Sequence, residues 1–388
     1  MKEFEFFNPT KLIFGRKSVE KLGKIASEYG KRCLIVTRPM SSRFAATIRR
    51  IEGILQAEGI ETCVFDGVVP NPTVESIDAG ARLGREFKPD LVIGVGGGSA
   101  MDTAKCIAVG ITHEGSIWDY CFFQDKHPTE KTLPFLLVTT TSGTGSQVCA
   151  NAVLTLTEHQ HKSGVNGPYL FAKACIVDPE LMLTVPEHIT ASTGFDVFCH
   201  AWESYTSIRT NAFSAVFSRE AIRIVLKTLP ALLKDLNNIE LREQMAWADT
   251  LAGFALNEAG VTVPHGIGMA IGGYYPHIMH GEALAYVYPA YMRFTWDSCI
   301  DKFAELYRLL KPADQERDDR AAAEKACAAM DDFLKEIGMW FNWKDLGIDE
   351  TGAEQITKNT FRLGDHTCNT RVPNETEVRE MVMAGRDR

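Results

Sequence analysis

The sequence predicts an α/β N-terminal domain over residues 1–185 and an all-α C-terminal domain over residues 186–388. Three observations predict this. Up to about residue 185, short apolar runs alternate with stretches of helical spacing. From Pro186 onward helical spacing dominates and convincing strands are absent. The length, 388 residues, suits two cores better than one.

The elements follow in order. Residues 33–37 (CLIVT) form a buried strand, and helical spacing runs on to about residue 58. Residues 61–65 (ETCVF) are strand-like, and residues 74–87 make a helix that stops before Lys88-Pro89. Two more apolar strands lie at 90–95 (DLVIGV) and 133–139 (LPFLLVT). Strands this apolar, with helices between them, belong to a parallel sheet covered on both faces. In the second half, helices are expected at 191–205, 212–233, 240–256, 300–310 and 321–337, with a polar exposed loop at 311–320.

Composition narrows the function. The net charge is −9 with no basic block, which argues against nucleic acid or an anionic membrane as partner. Ten cysteines include no CxxC pair, so they read as reduced thiols. No apolar run reaches 18 residues, and the first residues lack a signal-peptide pattern. A cytoplasmic location is the default, and a homodimer or higher homo-oligomer is expected only because a homodimer is the commonest closed assembly.

Residues 90–105 read DLVIGVGGGSAMDTAK. A buried strand runs into consecutive glycines and then into a helix. Gly96, Gly97, Gly98 and Ser99 form the turn, helix-forming character runs over 100–108, and Asp102 sits in the first turn with Lys105 one turn on. Glycines admit close backbone approach, and a helix start offers N–H groups to an anion such as a pyrophosphate. The run is not GxGxxG, and a tight turn without ligand is the plain alternative. A second turn, TTTSGTGS at 139–146, holds Thr140, Thr141 and Thr144 after another apolar strand. Ligands of open α/β sheets bind at such strand ends.

A metal constellation lies further on. In GFDVFCHAWESY (194–205), Asp196 and His200 are i and i+4 on one helix face. A buried Asp–His hydrogen bond is the ordinary reading of that pair alone. His265 (PHGIG) and His280 (MHGEALA) each precede glycine in a mostly apolar stretch, where an unpaired imidazole is costly. One carboxylate and three imidazoles suit Fe(II) or Zn(II). His277 reads as a pocket-wall or supporting histidine.

Taken together, these motifs resemble the iron-containing (group III, metal-dependent) alcohol dehydrogenase family. The matches are GGGSAMDTAK, TTTSGTGS, VDP (177–179), TGFDVFCHAWESY, PHGIG and HGEALA, with FGRKSVEKLG (14–23) and PNPT (70–73). They span the chain in the family's order. The resemblance implies a dinucleotide-binding first domain and a helical metal-binding second one. It implies hydride transfer between NAD(P)(H) and a small alcohol or aldehyde whose oxygen is held at the metal. The implied metal ligands are Asp196, His200, His265 and His280. The implied cofactor contacts are Asn71, Gly97, Gly98, Ser99, Asp102, Thr140, Thr141, Thr144 and Lys162, with the segment after Thr37.

Three positions depart from the family pattern. Met269 stands where some members carry a second histidine, so that proton relay is absent, which leaves solvent, the ribose hydroxyl or, as a further alternative, His277 to carry the proton. Gln147 stands where an acid is usual. Arg38, where NAD-preferring members often have Asp, is followed by Ser41, Ser42 and Arg43 and removes repulsion of a 2′-phosphate, which favours NADP over NAD. The pocket is expected near Phe254, Asn257, Met269, Tyr274 and His277. Two other readings are a lyase resembling dehydroquinate synthase and a non-catalytic dinucleotide- or metal-binding protein.

Overall fold

The computed structural model describes residues 2–40, 42–314, 316–386 and 388. Ser41 and the side chains of Ser42 and Arg43 lie outside the described residues. Among the described residues the strands are β1 (Lys11–Phe14), β2 (Arg32–Thr37), β3 (Glu61–Phe65), β4 (Leu91–Gly96), β5 (Phe135–Thr139), β6 (Asn151–Leu156), β7 (His161–Asn166) and β8 (Ala174–Val177). Six form one parallel sheet in the order β1-β8-β5-β4-β2-β3. The inner strands β4, β5 and β8 are buried throughout, as their continuous apolar runs require. The edge strands β1 and β3 are only half-buried.

The helices of this part are α1 (Leu22–Ala26), α2 (Ser42–Ala57), α3 (Val74–Phe87) and α4 (Gly98–Thr112). One face of the sheet packs Ile35, Ile93, Val95, Val138 and Ile176 against Leu22, Ile48, Ile51 and Leu55 of α1 and α2. The Thr73 hydroxyl accepts the Ser76 N–H at the start of α3, and Lys88 ends that helix at φ 54, ahead of Pro89. Asp178, of the VDP run, is fully buried and accepts from the N–H groups of Lys17, Val19 and Glu180. It thereby pins the turn that follows β1, and both motifs gain a structural reason.

Strands β1 and β8 and the antiparallel hairpin β6–β7 were not expected from the sequence. β1 and β8 have four residues each, too few to show a period.

The remaining helices are α5 (Glu187–Thr206), α6 (Ala212–Lys234), α7 (Ile239–Ala259), α8 (Val263–Tyr274), α9 (His280–Thr295), α10 (Ile300–Leu310), α11 (Asp319–Glu336), α12 (Trp343–Leu346), α13 (Glu350–Thr360) and α14 (Glu375–Met383). Asn211 starts α6 with a capping box, accepting from the N–H groups of Phe213 and Ser214. The helical core stacks Phe195, Phe198 and Trp202 in a row, with Tyr288 set edge-on to the two phenylalanines and Phe303 edge-on to Trp202. None of the described helices is long and apolar enough to cross a membrane.

The chain divides into two compact units. One is Phe6–Val185 with Asn237–Ala246; the other is Met1–Glu5, Pro186–Leu236 and Trp247–Arg388. The division expected at residue 185 is therefore interrupted, because the first turns of α7 go with the α/β unit.

Candidate active site

In the α/β unit, β2 is flanked by β3 on one side and β4 on the other. The chain order reverses between β2 and β4, and that switch point is where open sheets bind ligands. Thr37 pairs with Val95 and Gly96 with Thr139, so Arg38, Gly97 and Thr140 follow neighbouring strand ends. Gly97 starts α4 with no side-chain cap. A Cβ on Gly97 would come 2.7 Å from the Thr141 hydroxyl, and one on Gly98 2.4 Å from the Thr144 methyl. Glycine is thus what lets the two turns lie together. Ser99 is half-buried beside them and Thr140 is buried.

Asp102 and Lys105 serve this junction from beneath. Asp102 accepts from the Ser146 hydroxyl (2.6 Å) and the Val153 N–H (2.9 Å). Lys105 is fully buried and donates to the carbonyls of Ser146, Cys149 and Asn151 at 2.7–2.9 Å. Burial pushes Lys105 down and Asp102 up, and each charge counters the shift of the other. Asp102, expected on the sequence to meet the cofactor, thus gives its carboxylate to the protein and clips the second turn to α4. Asn71 holds φ 51 and its amide oxygen accepts from the buried Lys162 ammonium at 2.8 Å. Arg38 lays its guanidinium over the Phe44 ring, 4.4 Å from the centroid.

In the helical unit, α5 presents Asp196, His200 and Glu203 on one face. His265 lies in the first turn of α8, after Pro264, and His280 is the first residue of α9. Asp196 Oδ1 faces His265 Nε2 at 3.7 Å, His280 Nε2 at 3.8 Å and His200 Nδ1 at 3.8 Å. These separations are too long for hydrogen bonds. Donors of a tetrahedral ion with bonds of roughly 2.1 Å stand about 3.4 Å apart, close to what is seen. Asp196, His265 and His280 offer ligand atoms within 4.8 Å of one another. His200 adjoins them through Asp196 and through the His265 ring, 4.6 Å between centroids.

Asp196 Oδ1 and His265 Nε2 are buried and make no hydrogen bond, an arrangement that fits a cation between them. Burial alone would push the Asp196 carboxyl up, but His200, His280 and His265 hold it at about 2. Burial would likewise lower His265, but Glu203 and Asp196 hold it up at about 10. The glycine after His280 has its own reason: a Cβ there would lie 2.0 Å from the Ser192 carbonyl oxygen on α5. Gly281 lets α9 press against α5.

Glu203 escaped the sequence reading although it stands within the FDVFCHAWESY run. It is fully buried, and its Oε1 accepts from His265 Nδ1 at 2.8 Å. The helical period of Asp196 and His200, carried one step further, is the signal that finds it. His277 lies apart from the group, exposed, with Nε2 3.4 Å from the Leu346 carbonyl. Phe254 and Asn257 on α7 and Met269 and Tyr274 on α8 are half-buried.

Comparison with known proteins adds the following. Residues 9–179 match the family described as iron-containing alcohol dehydrogenase, and residues 190–384 match the C-terminal domain of that family. The long-chain-alcohol dehydrogenase 1 of Geobacillus thermodenitrificans is 34% identical over 86% of this chain and 83% of its own length. A probable NADH-dependent butanol dehydrogenase of Bacillus subtilis is 32% identical over 94% of each chain. Among solved structures, an archaeal halo-thermophilic alcohol dehydrogenase from a Red Sea brine pool superposes with a TM-score of 0.93 at 31% identity, covering 99% of this chain and 100% of its own.

Proposed function

This chain belongs to the iron-containing alcohol dehydrogenase family, and from that premise we propose how its residues divide the work. It is a metal-dependent oxidoreductase that interconverts alcohols and aldehydes with a nicotinamide dinucleotide. The observation that carries the finer reading is one buried carboxylate oxygen, Asp196 Oδ1, ringed by nitrogens of three histidines.

Asp196, His200, His265 and His280 hold one divalent cation, Fe(II) or Zn(II), both of which accept imidazole and carboxylate. When bound, the ion supplies Lewis acidity at the substrate oxygen and the nicotinamide supplies or accepts the hydride. Asp196 brings the only negative charge among the four donors. Gly97 and Gly98 clear the start of α4 so that its N–H groups receive a pyrophosphate, with Ser99, Thr140, Thr141 and Thr144 offering hydroxyls. Asn71 and Lys162 hold each other in place beside them, and Asp102 with Lys105 fixes the turn. The α/β unit thus carries the dinucleotide and the helical unit the metal. Phe254, Asn257, Met269 and Tyr274 face a small alcohol or aldehyde. The ten cysteines form no disulfide, which suits a reducing cytoplasm. The enzyme assembles as a homodimer or a higher homo-oligomer.

NADP is the favoured cofactor. Arg38, stacked on Phe44, keeps its planar N–H edge for a 2′-phosphate. The test is the nicotinamide absorbance of metal-reconstituted protein offered NADPH or NADH with short aldehydes. Metal-dependent oxidation is expected, faster with NADPH. Arg38→Asp is expected to shift the NADPH/NADH ratio of kcat/KM towards NADH, on the order of 10- to 100-fold. An unchanged ratio removes Arg38 from cofactor choice. Reconstituted protein that turns over no aldehyde with either cofactor speaks against the residue assignments as a whole.

A further inference from the structure

One buried carboxylate of the helical unit has no part in the donor set. Glu203 lies on α5, one turn beyond His200, with no exposed surface. A bare carboxylate there would be costly, and its partners are all neighbours of the ligand set. Oε1 accepts from His265 Nδ1 at 2.8 Å and from the Tyr288 hydroxyl at 3.3 Å. Oε2 accepts from the Thr262 N–H at 2.8 Å and the Thr262 hydroxyl at 3.1 Å.

Thr262 is the N-cap of α8 and does not cap that helix with its own side chain. Glu203 therefore sets its negative charge at the positive end of the helix that bears His265. The two grips act on the same object. The Thr262 contacts place the helix start, and the Nδ1 contact sets the ring orientation. A carboxylate accepts only, so the proton between Glu203 and His265 sits on Nδ1. In the neutral ring that a metal ligand must be, Nε2 is then the bare nitrogen, and it is the atom that faces Asp196 Oδ1 at 3.7 Å.

We propose that Glu203 is a positioning residue for the metal centre, fixing the His265 ring and tautomer so that Nε2 is delivered to the cation. This rests on the metal-centre reading above. Partners of this kind tune ligand basicity and orientation in metal sites, and losing one typically weakens metal binding about 10- to 100-fold.

Glu203→Gln tests it with little change of volume. An amide cannot satisfy both sides. If its oxygen keeps the Thr262 donors, its NH2 faces Nδ1 and drives the His265 proton to Nε2, the nitrogen that should bind metal. If it turns over, its NH2 opposes the Thr262 N–H. Co(II) is the probe, titrated into metal-stripped full-length protein and read by its visible absorption, with circular dichroism checking the fold. The expected result is Co(II) affinity lower by about 10- to 100-fold, with altered absorption bands, in a protein that stays folded. Thr262→Val removes one donor to Oε2 and is expected to give a smaller loss in the same direction. Unaltered affinity and spectrum in Glu203→Gln overturn the proposal. Should that variant not fold, Thr262→Val decides: weaker Co(II) binding supports the role and unaltered binding overturns it. Failure of the unaltered protein to bind Co(II) would instead sink the metal-centre reading itself.

Discussion

His265→Ala is expected to strip metal and turnover together. His265 brings the nitrogen 3.7 Å from Asp196 Oδ1, and alanine has no donor to replace it. Lewis-acid stabilisation of developing charge is worth several kcal/mol, and each 1.36 kcal/mol is a tenfold change. A fall in kcat of about 10³-fold or more follows. The change also leaves the Glu203 carboxylate buried without one of its two closest partners, so the melting temperature should fall as well. Metal content by elemental analysis and kcat at saturating aldehyde are the two readings. A variant that keeps one metal per chain and turns over within tenfold of the unaltered protein would remove His265 from the ligand set.

The second large effect is expected at a residue with no chemistry of its own. Gly281→Ala would put a methyl group 2.0 Å from the Ser192 carbonyl oxygen and 2.6 Å from its carbonyl carbon. Backbone cannot swing aside as a side chain would, so α9 must move away from α5. His280 precedes Gly281 directly, and Ser192 lies one turn before Asp196 on the same helix. The shift therefore separates two of the proposed metal donors. Overpacking of this kind costs about 3 kcal/mol, which lowers the melting temperature by roughly 5 °C or more. Co(II) affinity should fall in parallel. Gly53→Ala on α2 is the control, since a Cβ there meets nothing within 4 Å. Equal melting temperatures for the two variants would show that the α5–α9 approach is not tight.

These effects also show which parts of the site a sequence can reveal. Residues 74–87 are a helix by pattern and by structure, because an amphipathic period is local and Lys88-Pro89 ends it. The strands β2, β4 and β5 were legible for the same reason, as apolar runs bounded by turn residues. The edge strand β1 and its neighbour β8 were not, since four residues carry no period. Asp196 and His200, which the fold brings together with His265 and His280, stand out by i, i+4 spacing, and the two later histidines by their apolar surroundings. Asp102 is the opposite case. Its position in the first turn of α4 suggested a cofactor contact, while its partners Ser146 and Val153 lie 44 and 51 residues further on. Only the folded chain brings them together. Glu203 shows a subtler gap: its spacing was readable, but its meaning depends on Thr262 and His265, some sixty residues away.

The Lys105 ammonium bears on how this protein meets reactive small molecules. It is fully enclosed, and its three N–H bonds all end on carbonyls of one stretch, at Ser146, Cys149 and Asn151. An aldehyde or acylating agent attacks only an unprotonated, accessible amine. Although burial lowers the affinity of Lys105 for its proton, no lone pair is open to a reagent while the stretch stays in place. An enzyme that works among aldehydes thus keeps the buried amine of α4 out of Schiff-base chemistry by geometry. The same enclosure makes Lys105 adduct formation a clock for the opening of that turn, running only while helix and stretch are apart.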